Sequence, residues 1–195
     1  MLNPLMTTSP ASAPPPPDGL GLLVVDMQTA FAPVIEGWSL LLKRCRFAIQ
    51  AADLLGIPVA FTEQVPEKLG PTDSSLTGES KRAIFPKTSF SALQAPGLTT
   101  FCAEKELHHL LIIGIEIPVC IYQTVLDALP QDMEVTLLSD CLGARRPDDA
   151  HWAMRSLGNE GVHILPSETV FYAMLAQATD PRFPAFTKLV KEAGA

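Results

Sequence analysis

No dense run of Lys and Arg occurs anywhere in the chain. A surface that neutralises nucleic-acid phosphates needs one, and 14 Lys and Arg against 21 Asp and Glu leave a net charge of -7. Nucleic acid is therefore not expected as a partner. Cysteine pairs of the CxxC type are also missing. Cys45, Cys102, Cys120 and Cys141 lie far apart, a spacing that fits neither a zinc knuckle nor a small disulfide framework. Free thiols in a chain of this length point to a reducing compartment. The sequence shows neither the basic start and apolar stretch of a signal peptide nor an apolar run of the roughly 20 residues that a membrane span takes. A cytoplasmic location and no membrane partner are expected.

What is present reads as one domain with a tail. Hydrophobic residues make up 47% of the 195 and charged ones 18%, the balance of a globular protein. Residues 1–17 carry no charge and six prolines, so they are expected to form a disordered, polyproline-type tail, leaving residues 18–195 as the domain. Leu20 to Val25 is a continuous apolar run, which fits a strand buried on both faces of a parallel sheet. Ile57–Phe61, Leu107–Ile113, Glu134–Ser139 and Val162–Leu165 are further strand candidates. Helical spacing falls between them at Ser39–Leu55, Leu98–Glu106, Val119–Leu129, Asp148–Glu160, Glu168–Ala176 and Pro184–Glu192. Strands alternating with helices imply right-handed crossovers and a parallel sheet covered on both faces. Thr62 to Ala95 has loop residues and little periodicity, and irregular stretches of that length are usually functional.

Ligands of a doubly wound sheet bind beyond the carboxyl ends of its strands, and three reactive residues fall there. Asp26 ends the first strand candidate. Cys120 follows the strand Leu107–Ile113 and opens a helix. Lys87 lies in the irregular segment. A cysteine at a helix N-terminus meets free amides and a positive dipole end. With Lys87 nearby, Cys120 is expected to have a depressed thiol pKa and to be the most reactive of the four. Each feature has a plainer reading alone: an inert packed cysteine, a turn aspartate, a solvated lysine. Their order and topological placement give them weight together.

The stretches LLVVDMQTAF (22–31), FPKTSFSAL (85–93), LLIIGIEIPVCIYQTVLDAL (110–129) and SETVFYAML (167–175) resemble the isochorismatase-like cysteine hydrolases, the superfamily that includes nicotinamidases and N-carbamoylsarcosine amidase. TEQVPEKLGPT (62–72) and FTKLVKEA (186–193) are similar to its small isochorismatase-domain branch. The resemblance implies a three-layer α/β/α sandwich around a mainly parallel sheet of about six strands. It further implies Asp26 as base, Lys87 as positioning cation and Cys120 as nucleophile. A non-proline cis peptide at Ile115–Glu116 would place the Glu116 amide beside that of Cys120 as an oxyanion hole. Isochorismatases proper lack the cysteine, so Cys120 favours attack on an amide-like carbon. Nicotinamidases hold a metal through histidines between the equivalents of Asp26 and Lys87. This chain has none there, so neither metal nor cofactor is expected. Ile117 and Pro118 stand where many relatives have Thr and His.

The expected substrate-binding residues are Glu116, Gln28, Phe31, Ile117 and Gln123, around a small-molecule substrate. Gln28 and Phe31 read equally well as local structural residues, and Tyr122 and Gln123 as packing ones. Arg145 and Arg146 read as a solvated turn, or as a grip on an acidic substrate or a neighbouring subunit. His108 and His109 point to opposite faces of a strand and read as structural. The leading functional expectation is hydrolysis of a small amide or related C–N bond through a thioester. The alternatives are a non-enzymatic interaction protein that retains the fold, and an isochorismatase-type hydrolase. A mean hydropathy of +0.22 and a largely apolar Val119–Leu129 helix add the expectation of a homo-oligomer, dimer or tetramer.

Overall fold

A computed structural model describes residues 17–78 and 82–194; the tail expected at 1–17 therefore lies, but for Pro17, outside the described residues. The apolar runs form the strands β1 (Leu20–Val25), β2 (Val59–Gln64), β3 (Ala83–Lys87), β4 (His109–Gly114), β5 (Glu134–Leu142) and β6 (His163–Leu165). They make one sheet in the order β3-β2-β1-β4-β5-β6, and every neighbouring pair is parallel. Helices cover both faces: α1 (Trp38–Leu55), α4 (Leu98–Glu104), α5 (Tyr122–Ala128), α6 (Pro147–Asn159), α7 (Ser167–Leu175) and α8 (Phe183–Gly194), with the short α2 (Pro66–Leu69) and α3 (Ser74–Thr77) in the β2–β3 connection. This is the three-layer α/β/α sandwich expected from the sequence.

Alternation along the strands separates two cores. Leu22, Val24, Leu111 and Ile113 face α1, α7 and α8, where Phe47, Phe171 and Phe186 are buried together. Leu23, Val25, Leu110 and Ile112 face the other way, towards Leu98, Val125 and Leu157 of α4, α5 and α6. All four cysteines are free and buried, and Cys45, Cys102 and Cys141 pack as small apolar residues in these cores. No helix among the described residues is long and apolar enough to cross a membrane.

One strand departs from the sequence expectation. β3 lies inside the segment read as irregular, with Pro86 as its fourth residue. Proline removes a ladder donor and is tolerated on an edge strand, and β3 is the edge. Its alternating exposure also hides it from a search for continuous apolar runs.

The chain passes from β1 outward to β2 and β3, then returns to place β4 on the other side of β1. The order thus reverses between β1 and β4, opening a crevice at their carboxyl ends. The register pairs Val25 with both Thr62 and Gly114, and Gln64 with Lys87, so the ends of four strands meet at one level. Gly114 makes this closeness possible. It sits at φ +113, and a Cβ there would lie 2.1 Å from the Val25 carbonyl oxygen. Gly114→Ala is expected to lower stability by more than about 3 kcal/mol, combining strained backbone with a main-chain clash. Urea denaturation reads the change as a shifted midpoint.

Candidate active site

Asp26 is the residue at which β1 stops. Its backbone turns left-handed, φ 53, a conformation that aspartate tolerates better than most residues, and its side chain enters the crevice almost fully buried. Thr62 Oγ1 donates to its Oδ1 at 2.8 Å, and Lys87 Nζ donates to its Oδ2 at 2.7 Å. Lys87 arrives from the end of β3 with a side chain that is 0% exposed. Beyond Asp26, its ammonium meets Gln64 Oε1 at 2.6 Å, the carbonyls of Ser89 and Phe90 at 3.2 and 3.1 Å, and Cys120 Sγ at 3.8 Å. Three protons facing five acceptors leave the sulfur as the longest contact.

Cys120 lies in a single π-turn, Ile117–Ile121, between β4 and α5, rather than in the first turn of a long helix. The Asp26 carboxylate and the backbone N–H of Glu116 both lie close enough to the sulfur to influence its protonation. The Ile115–Glu116 peptide is cis. Burial, followed by the charge of Asp26, pushes the Cys120 thiol up to about 12, and Lys87 and the Glu116 amide offset only part of that. The expectation of a depressed thiol pKa is therefore wrong. The helix that follows is short, the desolvation strong, and the nearest carboxylate already occupies the ammonium.

The resulting cluster is a neutral thiol beside an ion pair. A proton moved from sulfur to Asp26 exchanges a carboxylate–ammonium pair for a thiolate–ammonium pair. No net charge appears in the buried space. The cluster forms the floor of a cavity of about 260 Å³, lined also by Phe31, Leu69, Phe90, Ile115, Val119 and Arg145. Among the described residues, no three His, Cys, Asp or Glu side chains are grouped to hold a metal ion.

Of the expected substrate-binding residues, Phe31 and Glu116 line this cavity. Gln28 does not. It is fully buried, and its amide is consumed by Gln64 O at 3.0 Å, Gly70 O at 2.6 Å and Gln64 N at 2.8 Å, so it ties β1 to β2 and the following loop. Ile117 is buried in the π-turn away from the cavity lining. Gln123 points to solvent, because the residue stacked one turn above Cys120 is Thr124, whose hydroxyl bonds the Cys120 carbonyl at 2.6 Å.

Two polar residues of the site carry little signal in the sequence. Gln64, at the end of β2, carries no motif that separates it from any strand-end glutamine. Arg145 reads from the sequence chiefly as a solvated turn, yet its Nε donates to Glu116 Oε2 at 2.6 Å and its backbone N–H to Glu116 Oε1 at 2.9 Å. The signal available was its place just beyond β5, on the carboxyl side of the sheet.

A family model described as the isochorismatase domain matches residues 21–169. Isochorismatase domain-containing protein 1 of Danio rerio is 32% identical over 167 residues, covering 85% of this chain and 59% of that protein. This chain thus spans less than two thirds of that relative. Isochorismatase domain-containing protein 2 of Bos taurus is 32% identical over 88% of this chain and 82% of its own length. Among solved structures, a Caenorhabditis elegans protein described as MAR1 ribonuclease superposes with a TM-score of 0.83 at 30% identity, covering 90% of this chain and 91% of its own.

The thiol value sets a pH dependence. A neutral thiol is favoured by the fold, so this contribution to stability is complete below the ordinary value near 9 and is lost as pH rises from there towards 12. Alkylation of Cys120 by iodoacetamide is accordingly expected to be slow at pH 7 and to rise about tenfold per pH unit above pH 8. Peptide mapping follows it, and a plateau near neutrality would contradict the raised value. The two glutamines separate in the same way. Gln28→Ala is expected to destabilise by about 1–3 kcal/mol, and Gln123→Ala to stay within about 0.5 kcal/mol, both by urea titration.

Proposed function

The chain belongs to the isochorismatase family, and from that premise we propose that it is a cysteine-dependent hydrolase of a small amide or related C–N bond. The observation that carries the reading is the contact of one buried ammonium with both partners. Lys87 Nζ lies 2.7 Å from Asp26 Oδ2 and 3.8 Å from Cys120 Sγ, at the floor of a cavity. Asp26 accepts the thiol proton as the sulfur attacks the carbonyl carbon, so no free thiolate need accumulate. The amide of Glu116, which lies beside the sulfur, and that of Cys120 receive the tetrahedral oxyanion. The C–N bond breaks, and the departing amine takes its proton from Asp26. Water, deprotonated by Asp26, then attacks the thioester, and the released sulfur regains its proton.

The size of the cavity restricts the substrate. A cavity of about 260 Å³ falls just below the range of drug-sized sites. No step draws on a metal, so activity is expected to survive chelation. The name of the nematode relative makes RNA the second substrate to assay, although a net charge of -7 opposes phosphate backbones. Self-association is proposed as well, through the exposed Leu126 of α5 and Trp152 of α6; light scattering that returns a 21.0 kDa particle would oppose it.

Ammonia release from a panel of small amides tests the main reading. Cys120→Ala is expected to reduce release by at least about 10³-fold, with an acyl adduct on Cys120 of the native protein visible by mass spectrometry. Release that persists in the variant would overturn it.

A further inference from the structure

The guanidinium of Arg145 is only partly used. Its Nε is held by Glu116 Oε2 and its backbone by Glu116 Oε1, while its two terminal nitrogens bond no partner among the described residues. Unused donors of this kind are ordinary on a surface, but Arg145 lines the same cavity as Cys120 and Asp26. Glu116 is mostly buried, and both its carboxylate oxygens are spent on this one residue, so it orients the guanidinium from one edge while the half-exposed side chain leaves the other edge open.

We propose that Arg145 is the specificity-determining residue of the site, and that it receives a carboxylate on the substrate. The proposal rests on the hydrolase reading and adds the substrate class: small amides that carry an acid group. A planar fork with two open donors matches a carboxylate in bidentate geometry. Glu116 already balances the charge of Arg145, as Asp26 balances Lys87. Recognition thus comes from donor geometry rather than from a net positive field. The rest of the lining supports the assignment by exclusion. Phe31, Leu69, Phe90, Ile115 and Val119 offer no polar side-chain atom, and Gln64 Oε1 is engaged by Lys87 and its Nε2 by the Thr88 carbonyl. A substrate oxygen remote from the scissile bond has Arg145 as its side-chain donor.

Matched ligands test this on the full chain. Malonamate, succinamate and glutaramate are compared with malonamide, succinamide and glutaramide, each acid with the diamide of the same length. Binding is measured by calorimetry on the Cys120→Ala protein, where no turnover intervenes. At least one acid is expected to bind at least about tenfold more tightly than its diamide. Arg145→Gln is expected to bring that ratio close to one, and Arg145→Lys to restore part of it, with urea midpoints reporting that both variants fold. Diamides that bind as tightly as the acids, no binding by any of the six, or a ratio unmoved by Arg145→Gln would each overturn the proposal. Ammonia release by the native protein is read separately. Acid-selective binding without release would sink the hydrolase reading and leave the receptor standing, whereas release without selectivity would do the reverse.

Discussion

A buried ion pair between Asp26 and Lys87 is the constraint from which the arrangement around it follows. Withdrawing a carboxylate and an ammonium from water carries a penalty of several kcal/mol per ion, and the attraction between them balances it only when their remaining lone pairs and protons are satisfied. The loops are built to that demand. Thr62 covers one carboxylate oxygen, and the chain after β3 curls so that two successive carbonyls, of Ser89 and Phe90, reach the ammonium. Gln64 supplies another acceptor, and Gln28 holds the Gln64 backbone in place. Three parallel strands must therefore end in register. The order β3-β2-β1 brings that about, and β4 carries the sulfur to the opposite side of β1.

The same pair governs the sulfur. A free ammonium beside a thiol would stabilise thiolate, but here the ammonium is already neutralised by a carboxylate whose charge also acts on the thiol. Burial then dominates, and the proton stays on sulfur at neutral pH. In the proposed chemistry this couples deprotonation to attack. The proton leaves as the C–S bond forms, and the ammonium turns from one anion to the other with little movement. A resting thiol also limits side reactions with oxidants and alkylators, which act on thiolates.

The layered fold was legible because strands buried on both faces leave continuous apolar runs, as at Leu20–Val25 and His109–Gly114. The edge strand Ala83–Lys87 was not, since one wet face and a proline erase that signal. Of the site, Asp26 and Cys120 were legible by position at strand ends; Lys87 stood out through the family-like FPKTSFSAL stretch. Electrostatics was beyond reach. Whether a cysteine following a strand is activated or suppressed depends on desolvation and on what its lysine already contacts, and neither is written locally. Gln28 and Gln123 failed for a related reason. An amide near a cleft can face inward, face solvent or tie loops together, and only the partners at Gln64 and Gly70, or the turn geometry that favours Thr124, decide which.

Glu116 joins the two halves of the site. Its backbone N–H lies beside the Cys120 sulfur, and its carboxylate holds the Arg145 side chain and main chain. One residue thus sets the distance between the reacting carbon and the point where the far end of a substrate would be held. It follows Gly114 by two positions, at the spot where close approach of β4 to β1 leaves the backbone little freedom. A shift of this segment would move the sulfur, the amide beside it and the arginine together. Substrate length should then be harder to change at Glu116 than across the cavity, where Phe31, Leu69 and Phe90 are carried by separate loops that can vary without disturbing the ion pair.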